Sequence, residues 1–169
     1  MTIDVSTILK ELGGKIDING DVKMSDTDFL GEMYHFDEPL KVSGSVSNNG
    51  KSLILKTDCS GQMTTQCARC MKNIRVSIDF KIDENLVQDN EEVNEDDDVI
   101  LFSEPQIDID DIVADCFLMN VEGKYLCKED CQGLCQQCGA DLNEGECSCS
   151  QDNIDPRWAA LVDIMNKDK

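Results

Sequence analysis

The sequence predicts an α+β fold: an antiparallel β-sheet or partly open barrel, a few short helices and a C-terminal zinc-knuckle segment. Three observations predict it. In segments between Ile16 and Ile82 apolar and polar side chains alternate with period two, most cleanly at Ile74, Val76, Ile78, Phe80 and Ile82, the pattern of a sheet with one wet face. From Ile107 the period lengthens to a helical one, with Ile109, Ile112, Val113, Cys116 and Phe117 on one side. Then "YLCKEDCQGLCQQCGADLNEGECSCS" packs six cysteines between Cys127 and Cys149.

The elements follow in order. "DVSTILKEL", Asp4 to Leu12, sets Val5, Ile8, Leu9 and Leu12 at helical spacing, and Gly13-Gly14 stops it. Ile16, Ile18, Val22 and Met24 alternate with polar residues, a strand broken by a turn at Asn19-Gly20. Leu40, Val42, Gly44 and Val46 alternate again, and "SNNGKS" is a hairpin signal centred on Asn-Gly. "LILKT" leads to "CARC", which falls between two predicted strands. The stretch Asp83 to Asp98 is low in complexity and reads as a loose acidic loop. "VILF", Val99 to Phe102, reads as a short buried strand. Asp108, Asp110 and Asp111 occupy the first turn of the next helix, where carboxylates suit the helix dipole. In "IDPRWAALVDIM", Asp155 is the N-cap and Pro156 the first helical residue, with Trp158, Leu161, Val162 and Met165 on one face. Residues 1–105 thus form an antiparallel β unit with an acidic loop at 83–98. Residues 106–169 supply a helix, a metal-binding loop at 125–150 and a closing helix, packed with the β unit as one domain.

The formal charge of the 169-residue chain is −20, which repels phosphate backbones, because Lys and Arg supply most nucleic-acid affinity. Fourteen of the acids lie between Asp83 and Asp115, a span with no Lys or Arg. This segment is a solvated loop or an electrostatic landing site for a basic partner. The start, "MTIDVSTILKELGG", has no secretory pattern, and no eighteen-residue apolar run predicts a membrane span. A cytoplasmic chain is expected, in which ten cysteines are thiols or metal ligands rather than disulfides.

"GLCQQCG" spaces Cys135 and Cys138 as a metal knuckle, with Gly139 free to take the positive φ such turns need. "CSC" adds Cys147 and Cys149, completing a tetrahedral set for zinc. Cys127 and Cys131 are a second pair, able to replace members of that set if its eight-residue loop is too tight. Cys67 and Cys70 in "CARC" form another knuckle and a candidate second site. They bind a metal with Cys131 and Cys127, join the C-terminal knuckle, or act as a redox dithiol. The redox reading expects a helix after the pair, whose N-terminus lowers the thiol pKa, whereas a strand is predicted. Cys59 and Cys116 read as small buried hydrophobes. An all-thiolate set is closed and structural, and the single histidine, His35, reads as a satisfied structural imidazole. No catalytic motif is present: there is no phosphate-cradling glycine loop, no G-x-S-x-G and no H-E-x-x-H.

The order of "CARCM", acidic linker, "IDIDDIVAD", "GLCQQCGADLN", "CSC" and "DPRWAAL" resembles the YceD family of large ribosomal RNA subunit accumulation proteins, in its cysteine-rich Gram-positive form. The likeness runs from about Val42 to Leu161. It carries the family's two cysteine pairs onto Cys67 and Cys70 and onto Cys135 and Cys138. It carries the closing helix onto Asp155, Pro156, Arg157 and Trp158. Where relatives have a proline-containing turn before the first cysteine of the cluster, this chain has "MNVEGKYLC". The resemblance implies a non-enzymatic role in 23S ribosomal RNA accumulation and ribosome assembly. With the charge, it implies contact with a basic ribosomal protein or assembly intermediate through the acidic segment, densest at Asp96, Asp97 and Asp98. Two other readings stand beside it. One is a thiol redox or metal-relay protein using Cys67 and Cys70. The other is a direct RNA binder using Lys51, Lys56, Arg69, Lys72, Arg75 and Lys81.

Overall fold

The computed structural model describes residues 1–89 and 99–149. The chain divides into two compact units, Met1–Cys127 and Lys128–Lys169. Among the described residues it is mostly strand with one α-helix, and its largest sheet is open.

The strands of the first unit are β1 (Thr2–Asp4), β2 (Lys15–Val22), β3 (Thr27–Phe29), β4 (Glu32–Tyr34), β5 (Leu40–Asn48), β6 (Leu53–Gln66), β7 (Asn73–Gln88), β8 (Ile100–Phe102) and β9 (Gln106–Asp108). The helix α1 spans Ile109–Asn120. Five strands build the main sheet in the order β2-β5-β6-β7-β8, while β1 pairs with β9 and β3 with β4.

The β6–β7 hairpin dominates. Its antiparallel register runs unbroken from Leu53↔Leu86 to Gln66↔Asn73. The period-two pattern decides which face is dry: Leu55, Cys59 and Met63 of β6 and Ile78, Phe80 and Ile82 of β7 are buried. On the wet face Lys56 pairs with Asp83, Lys81 with Asp58 and Arg75 with Asp37. Gly44 of β5 sits where a Cβ would come within 2.1 Å of the Lys56 carbonyl oxygen, so only glycine lets these backbones approach.

The helix closes the dry face. Asp108 caps it, its carboxylate accepting the Asp110 N–H. Its buried residues are Ile109, Ile112, Val113, Cys116 and Phe117, the apolar side expected from the sequence. Phe117 is the hub. Tyr34, Phe36 and Phe80 surround it at ring-centroid distances of 5.8, 5.1 and 6.3 Å, the first two edge-to-face. Each such pair contributes about 0.5–1.5 kcal/mol beyond the apolar area it buries.

Several expectations are corrected. The predicted helix at Asp4–Leu12 is strand β1 followed by a single 3-10 turn at Ile8–Lys10. Val5 and Ile8 are buried as the pattern requires, but Leu12 is 76% exposed, so the apolar face spans one turn only. The expected break at Asn19-Gly20 is absent, because both residues hold their register in β2, opposite Ser43 and Val42. Strand β7 continues to Gln88, so the acidic stretch begins as sheet rather than loop. Strand β8 lies parallel to β7 and makes the sheet mixed. It is not buried: Leu101 is 55% exposed. Residues 90–98 and the closing helix expected at Asp155–Met165 lie outside the described residues. No described helix is long and apolar enough to cross a membrane.

Candidate metal centres

Eight of the ten cysteines fall into two groups of four. Within each group the sulfurs all lie within 4.8 Å of one another. One group is Cys67, Cys70, Cys127 and Cys131; the other is Cys135, Cys138, Cys147 and Cys149.

The first group starts at the tip of the β6–β7 hairpin. Beyond the last ladder pair, Gln66↔Asn73, the chain turns tightly: the Cys67 N–H donates to the Lys72 carbonyl at 2.8 Å and the Met71 N–H to the Cys67 carbonyl at 2.9 Å. Met71 takes φ +60°, a left-handed conformation. The segment bringing Cys127 is fastened to this turn, since the Ala68 N–H donates to the Tyr125 carbonyl at 2.9 Å. The sulfurs of Cys70 and Cys127 are 3.7 Å apart. Two thiolates on one zinc with bonds of about 2.3 Å stand about 3.8 Å apart along a tetrahedral edge, whereas a disulfide needs about 2.05 Å. Cys131 follows four residues after Cys127, and the Asn143 side-chain amide donates to its sulfur at 3.4 Å.

The second group repeats that turn at another place in the chain. A bridge between Leu134 and Asp141 stands where Gln66 pairs with Asn73. The Cys135 N–H donates to the Ala140 carbonyl at 2.8 Å and the Gly139 N–H to the Cys135 carbonyl at 2.8 Å. Gly139 takes φ +74° in the position of Met71. The two knuckles therefore match residue for residue, Cys67 with Cys135 and Cys70 with Cys138. In both, the C-x2-C pair is followed by a residue in the left-handed conformation, Met71 or Gly139.

The electrostatics agree with the geometry. Burial opposes ionisation of Cys67, but the amides of Arg69, Cys127 and Cys70 outweigh it and lower its thiol to about 6. The amides of Cys138 and Gln137, with the Cys147 side chain, lower Cys135 to about 6 as well. Its neighbours respond in the opposite sense. A hydrogen bond with Cys138, together with burial, pushes Cys149 up to about 12. The Cys149 amide favours a Cys147 thiolate, yet the contact with Cys135 leaves that thiol raised. Neighbouring thiolates disfavour one another, and a cation among the sulfurs would relieve that repulsion. The donor set, four soft sulfurs with converging amides, fits zinc.

Other candidates fall elsewhere. His35 belongs to neither sulfur group; its Nδ1 contacts the Asp26 carboxylate at 2.8 Å, and its backbone bridges to Thr64. Cys59 and Cys116 are buried in the core. Asp96, Asp97 and Asp98 lie outside the described residues. Of the basic residues considered for RNA contact, Lys56, Arg75 and Lys81 are ion-paired on the sheet. The sequence reading missed Tyr125 and Asn143. Only Asn143 carried a local signal, the Asx turn in which its N–H donates to the Asp141 carboxylate at 2.9 Å.

The chain is similar to an uncharacterized protein of Mycobacterium tuberculosis, 25% identical over 170 residues covering 98% of this chain and 81% of that protein. It is similar to one of Mycobacterium leprae, 23% identical over 133 residues, 77% of this chain and 61% of the other. It also resembles the chloroplastic large ribosomal RNA subunit accumulation protein YCED homolog 1 of Arabidopsis thaliana, 27% identical over 62 residues, 37% of this chain and 19% of the plant protein. No solved structure matches. The family described as large ribosomal RNA subunit accumulation protein YceD matches residues 55–165, a span that holds both knuckles, and the chain belongs to that family.

Proposed function

We propose that this protein is a non-enzymatic, cytoplasmic factor that supports 23S ribosomal RNA accumulation and ribosome assembly, built around two structural zinc centres. Membership of the family carries the ribosomal role. The single structural observation behind the metal is the repeated knuckle, with each copy inside a group of four sulfurs. Cys67, Cys70, Cys127 and Cys131 hold one ion and Cys135, Cys138, Cys147 and Cys149 the other. Zinc bound there supplies cross-links worth about 10–16 kcal/mol of apparent binding free energy. The chain supplies the amides of Arg69, Cys70 and Cys127 on one side and of Gln137 and Cys138 on the other, which hold sulfur as thiolate. Four thiolates leave no open position for a substrate or water, so the centres shape surfaces and do not catalyse. The charge of −20 directs the chain to a basic ribosomal protein or assembly intermediate rather than to naked RNA.

Metal analysis of protein purified without chelator tests the sites: two zinc ions per chain are expected. Cys67→Ser with Cys70→Ser is expected to leave one. A reversible Cys67–Cys70 disulfide at cytosolic potentials, with no metal at that pair, supports the redox reading instead. Deleting the protein is expected to lower 23S relative to 16S ribosomal RNA. An unchanged ratio overturns the ribosomal role.

A further inference from the structure

Among the described residues strand β8 ends the five-stranded sheet. Its ladder with β7 uses one edge. A groove of about 530 Å³ is lined by β8, the loop at 103–105, β9 and α1. Its floor is apolar: Ile100 and Phe102 are half-buried, Leu101 is 55% exposed, and Ile112 comes up from the helix. An apolar strand at a sheet edge, open and short, is a template for strand addition.

The walls state what kind of strand fits. Glu104 stands on the loop, and Asp111 and Asp115 stand one helical turn apart on α1. All three are exposed, and no ion pair engages them among the described residues. Asp108, the fourth acid, is occupied as helix cap and by the Met1 amino group at 3.5 Å. No Lys or Arg occurs anywhere from Asp83 to Asp115, so nothing basic lines the groove. An acidic rim over an apolar floor complements an extended segment that alternates basic and apolar side chains: apolar residues reach the floor, basic ones meet the rim, and backbone bonds run to β8.

We propose that the groove between β8 and α1 is the docking site for an extended basic, partly apolar segment of a partner protein, bound as an added strand. This rests on the reading above that the partner is basic, and gives it an address distinct from Asp96–Asp98.

The probe is a synthetic peptide of about ten residues, a usual strand length, alternating lysine and valine. It is titrated into the full chain, with amide shifts followed by NMR. Perturbations at Ile100–Phe102 and along α1, with affinity falling as salt rises, are expected. Glu104→Gln, Asp111→Asn and Asp115→Asn together should weaken binding about tenfold, as three part-exposed charge pairs would. Leu101→Ser should weaken it at unchanged charge. The proposal is overturned if a lysine–glycine peptide binds equally well, if neither variant matters, or if shifts appear elsewhere. It is also overturned if the Ile100–Phe102 amides of the free full chain are already protected from exchange on the edge away from β7, since the chain then fills its own groove. The ribosomal role is judged separately. A deletion that leaves 23S ribosomal RNA unchanged sinks that role while the titration still decides the groove. A failed titration beside a lowered 23S level sinks the groove alone.

Discussion

The two units contain the same kind of knuckle, but the described residues of each are ordered by different physics. The Met1–Cys127 unit owns the hydrophobic core, a contiguous cluster from Val5 to Phe117. In the described part of the second unit, Cys131 is the single buried hydrophobic residue. Its internal order comes from a few bonds: Leu142 N–H to the Gly133 carbonyl at 2.9 Å, Glu144 N–H to the Asp141 carbonyl at 3.1 Å, and the knuckle turn. A segment with so little apolar surface cannot offset its own conformational entropy. The first knuckle rests on a long ladder, whereas among the described residues the second has no such ladder, so on the proposed reading metal would add to one fold and order the other.

Removing metal is therefore the strongest way to break this comparison. A chelator should abolish exchange protection at Cys135, Gly139 and Leu142 and leave the β5–β6–β7 amides protected. At about 10–16 kcal/mol of apparent binding energy per site, no other perturbation should be as large. Cys135→Ser should reproduce the loss in the second unit with the core intact. If chelation melts both units together, the distinction is wrong.

The opposite experiment attacks the core. Phe117→Ala removes the hub on which Tyr34, Phe36 and Phe80 converge and should cost about 3–5 kcal/mol in denaturant unfolding of the first unit. Metal bound by Cys135, Cys138, Cys147 and Cys149 should stay at one equivalent, because none of those residues belongs to the core. Loss of that equivalent would tie the second unit to the first more closely than the comparison allows.

A smaller effect compares the knuckles directly. Gly139 and Met71 occupy equivalent left-handed positions at φ +74° and +60°, but only glycine adopts that conformation without strain. Gly139→Ala, which meets nothing within 4 Å, should cost about 1 kcal/mol through backbone strain alone. Met71→Gly should be neutral to stabilising, by at most about 1 kcal/mol. Equal penalties at both positions would deny that the turns are the same. Competition for zinc with a chromophoric chelator reads both variants.

What the sequence disclosed follows the range of the forces involved. Period-two alternation showed β5, β6 and β7, because each side chain's face is a local property. Cysteine spacing showed Cys135, Cys138, Cys147 and Cys149 as one group able to hold a metal ion. Pairing between distant segments did not show. Gly20 looked like a turn, but it is a strand residue against which Met1 packs: a Cβ there would meet the Met1 sulfur at 2.7 Å. Val5, Ile8 and Leu9 carry a helical spacing that one 3-10 turn satisfies equally well. The parallel β7–β8 pairing depends on what crosses between the strands, and no residue of "VILF" records it. For the same reason the sequence left the company of Cys127 and Cys131 open, whereas the hairpin tip brings Cys67 and Cys70 beside them.

The smallest effect concerns the cysteines that take no part in either group. Burial pushes the Cys116 thiol up to about 11, with Glu84, Cys59 and Asp115 adding repulsion, and burial raises Cys59 too. Cys67 and Cys135 move the other way, so one residue type reports which physics surrounds it. The sign is definite. A raised folded-state pKa means the neutral thiol is favoured in the native state. Cys116 thus contributes stability that is fully present below its ordinary value of 9.0 and lost as pH rises through about 11. Unfolding followed from pH 8 to 11 should show an alkaline loss that Cys116→Val reduces, with the variant's own packing change constant across the range. At pH 8 a thiol-alkylating reagent should leave Cys59 and Cys116 unmodified in the native, zinc-loaded chain. Rapid labelling of Cys116 would mean that the helix leaves the sheet easily, and that the first unit is held by something other than its core.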